Sequence, residues 1–344
     1  ASTSANAISI YGATSRSGYT GGIIALRSGS YLIQSTASTG GGIYISGNNT
    51  TSAGGEIIFT GATTGTAYIL SKNGPIIFNG SGGDGGFSNT GAIKLGSNAD
   101  VTVNGVTSSV STSTSDITIS SNYFSFGSGS AIGTTGAVVI QPYTNSFGSA
   151  QTLSNVTFAS NPSQFTLGKT TNTAGVTISS SITVAGPVNV YGGAITVSGN
   201  ISFANDSLFK SIGSGNDLTI SGTLTNSSGS NNLYLEAARN VSISNAISGG
   251  SGKPLNVFIY ADIDQASNGG VSLASGSNIT TYGGNITIGG GAGDGGIEGG
   301  VVGSDGSGVD CRSGTSRVSR ELDLVPIVTV DAVLLIAVSH MTTE

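Results

Sequence analysis

Residues 176–203 read VTISSSITVAGPVNVYGGAITVSGNISF. An apolar–hydroxyl–apolar triplet returns through this stretch, as Val176-Thr177-Ile178, Ile182-Thr183-Val184 and Ile195-Thr196-Val197, each set off by Gly, Asn or Ser. Side chains alternate across a strand, so the two apolar residues of a triplet face one way and the hydroxyl the other. A strand this short buries too little surface to stand alone. Stacked as turns of a coil, many such strands bond to the rungs above and below, and their apolar side chains fill a continuous interior.

The unit extends in both directions. Towards the C-terminus it recurs as Leu218-Thr219-Ile220, Val241-Ser242-Ile243, Val271-Ser272-Leu273 and Ile286-Thr287-Ile288. Towards the N-terminus it recurs as Phe165-Thr166-Leu167, Val156-Thr157-Phe158, Ile117-Thr118-Ile119 and Val101-Thr102-Val103, with Ile43-Tyr44-Ile45 and Ile8-Ser9-Ile10 in the same slot. The pairs Gly192-Gly193, Gly249-Gly250, Gly269-Gly270 and Gly283-Gly284 stand just before or between triplets, where turns of positive φ are expected. Helical signals are nearly absent, and Leu233 to Arg239 begins with the alternation of a strand. The expected fold is all-β, a right-handed parallel β-helix, its hand resting on the general rule for parallel crossovers. Roughly 20-odd residues per coil and about 4.8 Å per rung predict on the order of 15 coils over about 70 Å.

Composition agrees. The chain has 344 residues with 57 Gly and no Trp, and charged residues make up 8%, against roughly 25% in ordinary globular domains. Apolar residues are 37% but scattered in short runs, unlike membrane spans. Recurring Ile, Val and Thr argue against disorder. A net charge of −6 offers no basic patch for nucleic acid. The single Cys311 permits no internal disulfide, which leaves packing and backbone ladders to stabilise a secreted chain. The start, Ala1-Ser2-Thr3-Ser4-Ala5, has no charged region followed by an apolar one. An internal piece of a longer exported protein is expected.

The stretch from about Gln164 to Gly291 resembles large secreted bacterial adhesins and exoproteins of the filamentous-haemagglutinin type. The segments carrying the likeness are TLGKTTNTAGVTISSSITVAGPVNVYGGAITVSGNI, GNDLTISGTLTNSSGSNNLYLEAARNVSISNAI and GGVSLASGSNITTYGGNITIGGGAGDGG. The resemblance implies a β-helical rod at, or released from, the bacterial surface, with a role in attachment, aggregation or biofilm. It covers about the central 130 residues, and the remainder only in style. The secretion domain of that family carries an Asn-Pro-Asn type motif, which Asn161-Pro162-Ser163 does not match.

After about Asp310 the style changes. Residues 311–344 hold the only Cys, the only His (His340), the only Met (Met341), and Arg312, Arg317 and Arg320. The apolar run from Leu322 to Val338 is interrupted by Asp323, Pro326 and Asp331, which disfavours a membrane span. The chain therefore divides into a repeat rod, residues 1–310, and a divergent tail, residues 311–344. That tail is either a cap for the solenoid end or an artefact such as a shifted reading frame.

Catalytic signals are sparse. A lone His340 near the terminus cannot supply the base for a Ser–His–Asp arrangement. Asp262 and Asp264 are the best carboxylate pair, at a spacing that would place both on one strand face for cleavage of a polysaccharide or for Ca²⁺; their default reading is an exposed loop. Gly82 to Gly86 and Gly289 to Asp294 partly match calcium-binding nonapeptides but lack tandem copies, and read as turns. No cofactor or metal site is expected. The Asn-x-Ser/Thr sequences at Asn155, Asn240 and Asn285 are by-products of a turn Asn before a triplet.

The outward hydroxyls are the candidate ligand surface. Thr177, Thr183, Thr196, Thr219 and Thr287 would form a ladder if they stacked in register, suited to glycan or ice; β propensity alone also explains them. Tyr191, Tyr234 and Tyr260 would either stack on sugar rings or cover the rod. The expected function is an extracellular or cell-surface adhesive stalk whose partners are host or neighbouring cells, glycans or copies of itself, with no nucleic acid and no membrane span. The alternatives are a polysaccharide-acting β-helix enzyme and a hydroxyl-ladder binder of glycan or ice.

Overall fold

A computed structural model describes residues 6–14, 24–25, 29–49, 57–58, 65–81, 86–88, 91–97, 101–266, 269–290, 297–298 and 309–313. Every regular element among them is a β-strand, and the chain winds them into a parallel β-solenoid with three faces. One coil shows the plan. Val188–Gly192 lies on the first face, Ile195–Val197 on the second and Ile201–Phe203 on the third, and Ser207–Ser211 returns to the first, one rung on.

The first face is a single 12-stranded sheet running from Asn6–Thr14 to Val309–Ser313. The second is a 4-stranded sheet ending at Tyr123–Phe124, followed by a 7-stranded sheet beginning at Gln151–Leu153. The third is a 5-stranded sheet ending at Val156–Phe158, followed by another 5-stranded sheet beginning at Ile182–Thr183. Side chains carry the hydrogen bonding across these breaks. Phe124 N–H donates to Gln151 Oε1 at 2.8 Å, and Val156 N–H donates to Ser180 Oγ at 3.3 Å.

The triplets form strands because their alternation puts two apolar residues inside. Phe78, Ile119, Ile140, Leu167, Val190, Phe209, Leu235 and Ile259 fall in one inward column of the first face, each fully buried. Triplets occur on all three faces, which explains their irregular spacing in sequence: Val176 to Ile182 steps between faces, whereas Val176 to Ile195 climbs one rung. Leu233 lies in the strand Asn231–Glu236, as its alternation indicated.

Four expectations change. The described residues hold 12 rungs on the first face, not about 15. The early coils are long: 35 residues from Ile10 to Ile45, 33 from Ile45 to Phe78 and 41 from Phe78 to Ile119. Later ones run from 19 (Val190 to Phe209) to 29 (Ile259 to Ile288). Eleven steps of about 4.8 Å make a ladder of roughly 53 Å.

Second, Val101-Thr102-Val103 is not a rung. Thr102–Val103 pairs antiparallel with Val106–Thr107 in a hairpin inserted into the longest coil. Its two loop residues, Asn104 (φ 50°) and Gly105 (φ 80°), have the left-handed backbone that an Asn-Gly hairpin turn requires.

Third, of the glycine pairs singled out above only Gly283 has positive φ. Crowding explains several of the others: a Cβ on Gly193, Gly269 or Gly284 would strike the carbonyl oxygen of Thr173, Arg239 or Leu255, respectively, in the neighbouring coil. Glycine stands there because consecutive rungs approach too closely for a side chain.

Fourth, Asp262 and Asp264 lie in a turn, as their default reading held, but they are not both exposed. The strand Leu255–Tyr260 ends before them; Asp262 is buried with φ 51°, and Asp264 is exposed. The Asp262 N–H donates to Arg239 C=O at 2.8 Å, while the Asp264 carboxylate accepts from Ala266 N–H at 3.1 Å, so both belong to the turn.

Val309–Ser313 pairs in parallel with Ile286–Gly290, aligning Cys311 with Ile288 and Arg312 with Gly289. His340, the rest of the tail after residue 313, and the Gly-rich runs at 82–85 and 291–296 lie outside the described residues.

Candidate functional site

The three-residue corners between the second and third faces recur as Ser179-Ser180-Ser181, Ser198-Gly199-Asn200, Ser221-Gly222-Thr223 and Ser244-Asn245-Ala246. The first serine of each is fixed by one repeated contact. Ser179, Ser198, Ser221 and Ser244 donate from Oγ to the carbonyls of Leu153, Ile178, Val197 and Ile220, at 3.2, 3.4, 3.2 and 3.4 Å. Their backbone N–H groups bond to the same four carbonyls. This serine stack locks the register of the strands on either side, and that register positions the outward hydroxyls.

On the second face, Thr152, Thr177, Thr196, Thr219, Ser242 and Ser272 align in consecutive rungs as one outward column, with Glu298 next. Ser272 and Ser242 are joined by an Oγ–Oγ hydrogen bond of 3.1 Å. On the third face, Thr183, Ser202, Thr225, Ser248 and Thr280 form a second column. The predicted threonines are thus divided: Thr177, Thr196 and Thr219 stack together, Thr183 begins the neighbouring column, and Thr287 lies on the first face. Ser242 and Ser272 sit at the centre of triplets already read from the sequence, whereas Ser202 and Ser248 of the third face were not among those triplets.

The third-face column and the corner beside it enclose a shallow depression of about 180 Å³, three rungs high. Ser181 and Thr183 line the first rung, Asn200 and Ser202 the second, and Thr223 and Thr225 the third. No charged side chain lines it.

The remaining predicted residues meet on the first face. Leu208, Tyr234, Phe258 and Thr287 align in one outward column, and Tyr191, Lys210, Glu236, Tyr260 and Gly289 in the next. The Tyr234 and Phe258 rings stack with centroids 4.8 Å apart and planes 11° apart. That separation is the rung spacing, so each ring covers a face of the other. Lys210 Nζ lies 2.5 Å from Glu236 Oε2. The ring stack and the ion pair are therefore cross-rung ladders that bind neighbouring coils together.

A second ion pair joins the Asn216–Asn240 turns. Arg239 donates from Nε and Nη2 to the two Asp217 oxygens at 2.8 and 2.6 Å, and Asn240 N–H donates to the same carboxylate at 3.0 Å. The bonds from Arg239 hold the Asp217 carboxyl below its ordinary pKa against a smaller opposing effect of burial. A lowered folded-state value means stability that is present at neutral pH and lost as pH falls through that value. Both partners are partly exposed, so the effect is small. Asp217→Asn should narrow the fall in urea midpoint between about pH 5 and about pH 2 relative to the parent chain. An unchanged fall would mean that the pair does not contribute.

Among the described residues no group of three His, Cys, Asp or Glu side chains is placed to hold a metal ion, and no helix is long and apolar enough to cross a membrane. No protein-family profile, curated protein or solved structure matches this chain.

Proposed function

We propose that the chain is a structural and adhesive stalk segment of a secreted or cell-surface bacterial protein, resembling the filamentous-haemagglutinin type, that serves in attachment, aggregation or biofilm. The observation that supports this reading is the continuous 12-stranded parallel sheet, whose ladder joins every coil from Asn6–Thr14 to Val309–Ser313. Such a body projects whatever it carries and spreads contacts along its length, and its second and third faces repeat hydroxyl groups from rung to rung. Its partners on this reading are host or neighbouring cell surfaces, glycans or further copies of the chain. A polysaccharide-cleaving role loses its best support, because Asp262 and Asp264 lie in one turn with one carboxylate buried and the other exposed.

The test is binding of the purified full chain to immobilised bacterial and host cells, with heat-unfolded protein as the control. Saturable binding that disappears on unfolding is the expected result. Equal binding by folded and unfolded chain, or none to any surface, would remove the adhesive part of the proposal and leave a spacer.

A further inference from the structure

We infer that the third-face depression binds an extended, uncharged polysaccharide, with its sugar residues laid along successive rungs. This rests on the adhesive reading above and names the ligand class of one of its surfaces.

The hydrogen-bonding inventory carries the inference. On the same corner the first serines, Ser179 to Ser244, spend their hydroxyls on backbone carbonyls. The groups lining the depression are committed differently. Ser181 Oγ accepts from Asn200 N–H at 3.2 Å, and Asn200 Oδ1 accepts from Thr223 N–H at 3.0 Å. Each of these side chains gives its own acceptor oxygen to an N–H of the next rung and keeps its donors, the Ser181 hydroxyl hydrogen and the Asn200 amide hydrogens. The hydroxyls of Thr183, Ser202 and Thr225 form no hydrogen bond with another described residue. Two parallel columns therefore offer donors and hydroxyls at each of three consecutive rungs, with both columns pinned in register by the corner serines.

The chemistry selects the ligand. A donor-rich surface without charge matches ether and hydroxyl oxygens and gives nothing to a sulfate or carboxylate beyond hydrogen bonds. Repetition at about 4.8 Å is close to the advance of one pyranose in an extended chain, so each rung can meet one ring, with alternate rings of a β-1,4 glucan presenting the same edge. The depression is shallow and runs over three rungs, so successive rings can follow one another along it. By contrast, the second-face hydroxyls Thr177, Thr196 and Thr219 stand in one column, and on the first face Tyr234 and Phe258 already cover one another.

The test is isothermal titration of the full chain with cellohexaose, an extended neutral glucan, and with heparin as the charged comparison. The triple variant Thr183→Val, Ser202→Ala, Thr225→Val deletes the three hydroxyls while keeping the β-branched shape at the two threonine positions. It should bind cellohexaose roughly tenfold or more weakly. The matching second-face variant Thr177→Val, Thr196→Val, Thr219→Val should stay within about twofold of the parent. Circular dichroism and urea midpoints establish that both variants are folded. Equal loss in both variants, no loss in the third-face variant, or preference for heparin would overturn the inference. Absence of cellohexaose binding in a chain that still binds cells saturably would overturn it as well, while leaving the adhesive reading intact. Loss of both would dispose of the two together.

Discussion

Phe209→Ala should lose about 3–5 kcal/mol of stability, enough to change how the whole ladder unfolds. Phe209 is fully buried in the inward column of the first face, aligned with Val190 on one side and Leu235 on the other. It sits at the top of the shortest measured coil, 19 residues from Val190, where little chain is available to move in and fill a void. In a stacked array each coil is stabilised almost wholly by its neighbours, so a cavity in the middle weakens two interfaces and uncouples the coils above from those below. The expected urea profile of Phe209→Ala is a midpoint shifted to lower concentration with a broadened or divided transition. Limited proteolysis should then cut first near residues 205–216. Phe209→Leu, which keeps most of the volume, should cost about 1 kcal/mol and retain a single transition. Equal behaviour of the Ala and Leu variants would show that this position does not set the coupling between coils.

The fold was legible in the triplets because their apolar–hydroxyl–apolar order states both the strand and the side it buries. Val176-Thr177-Ile178 and Ile195-Thr196-Val197 became aligned rungs of one face with the hydroxyls outward, as alternation requires. What the triplets could not state is which face each occupies. The distance between consecutive triplets mixes short steps around a corner with full turns of the coil, and the early coils of 33 to 41 residues are longer than the roughly 20-odd expected, so a single period overstated the number of coils. A finer signal was present. ITVSGNISF at 195–203 and LTISGTLTN at 218–226 share one order of strand, Ser-led corner and strand, and aligning them separates the second face from the third. Asn104-Gly105 between two valines was likewise a hairpin signature, and its omission misplaced Val101-Thr102-Val103.

The candidate surface was partly legible for the same reason. Thr177, Thr196 and Thr219 stack because register follows the buried residues on either side, and Ile178, Val197 and Ile220 are buried. The groups that make the third face distinctive were not visible. Ser181 and Asn200 look like ordinary turn residues in sequence, and only the pairing of one coil with the next shows that their acceptors are used while their donors remain. Buried Asn172 was also missed. Its Oδ1 accepts from Phe147 N–H at 3.1 Å and its Nδ2 donates to Tyr191 C=O at 3.0 Å, so it closes a long corner by contacts 25 and 19 residues away in sequence.

Glycine gives the second large expected effect, because two physical reasons for glycine can be separated in this one chain. Gly222 lies on the corner between the second and third faces, outside the positive-φ set, and a Cβ there would run into the Gly199 carbonyl in the neighbouring coil. Gly105 is the opposite case: its φ is 80° and nothing lies within 4 Å of an added Cβ. Substitution at Gly105 strains only the local backbone, so Gly105→Ala should cost about 1 kcal/mol and leave the ladder unaltered, since the hairpin stands outside the parallel sheets. Gly222→Val must instead push two coils apart. It should cost about 3 kcal/mol or more, the upper end of overpacking, since the obstacle is backbone that cannot rotate away. Moving the corner also draws Ser221 from the Val197 carbonyl and disturbs the register that aligns Thr223 and Thr225 with the rung below. Amide hydrogen exchange would then rise on both sides of the corner in Gly222→Val, but only around residues 101–107 in Gly105→Ala. If both variants lost stability equally and exchanged only locally, contact between neighbouring coils would not be what selects glycine at this corner.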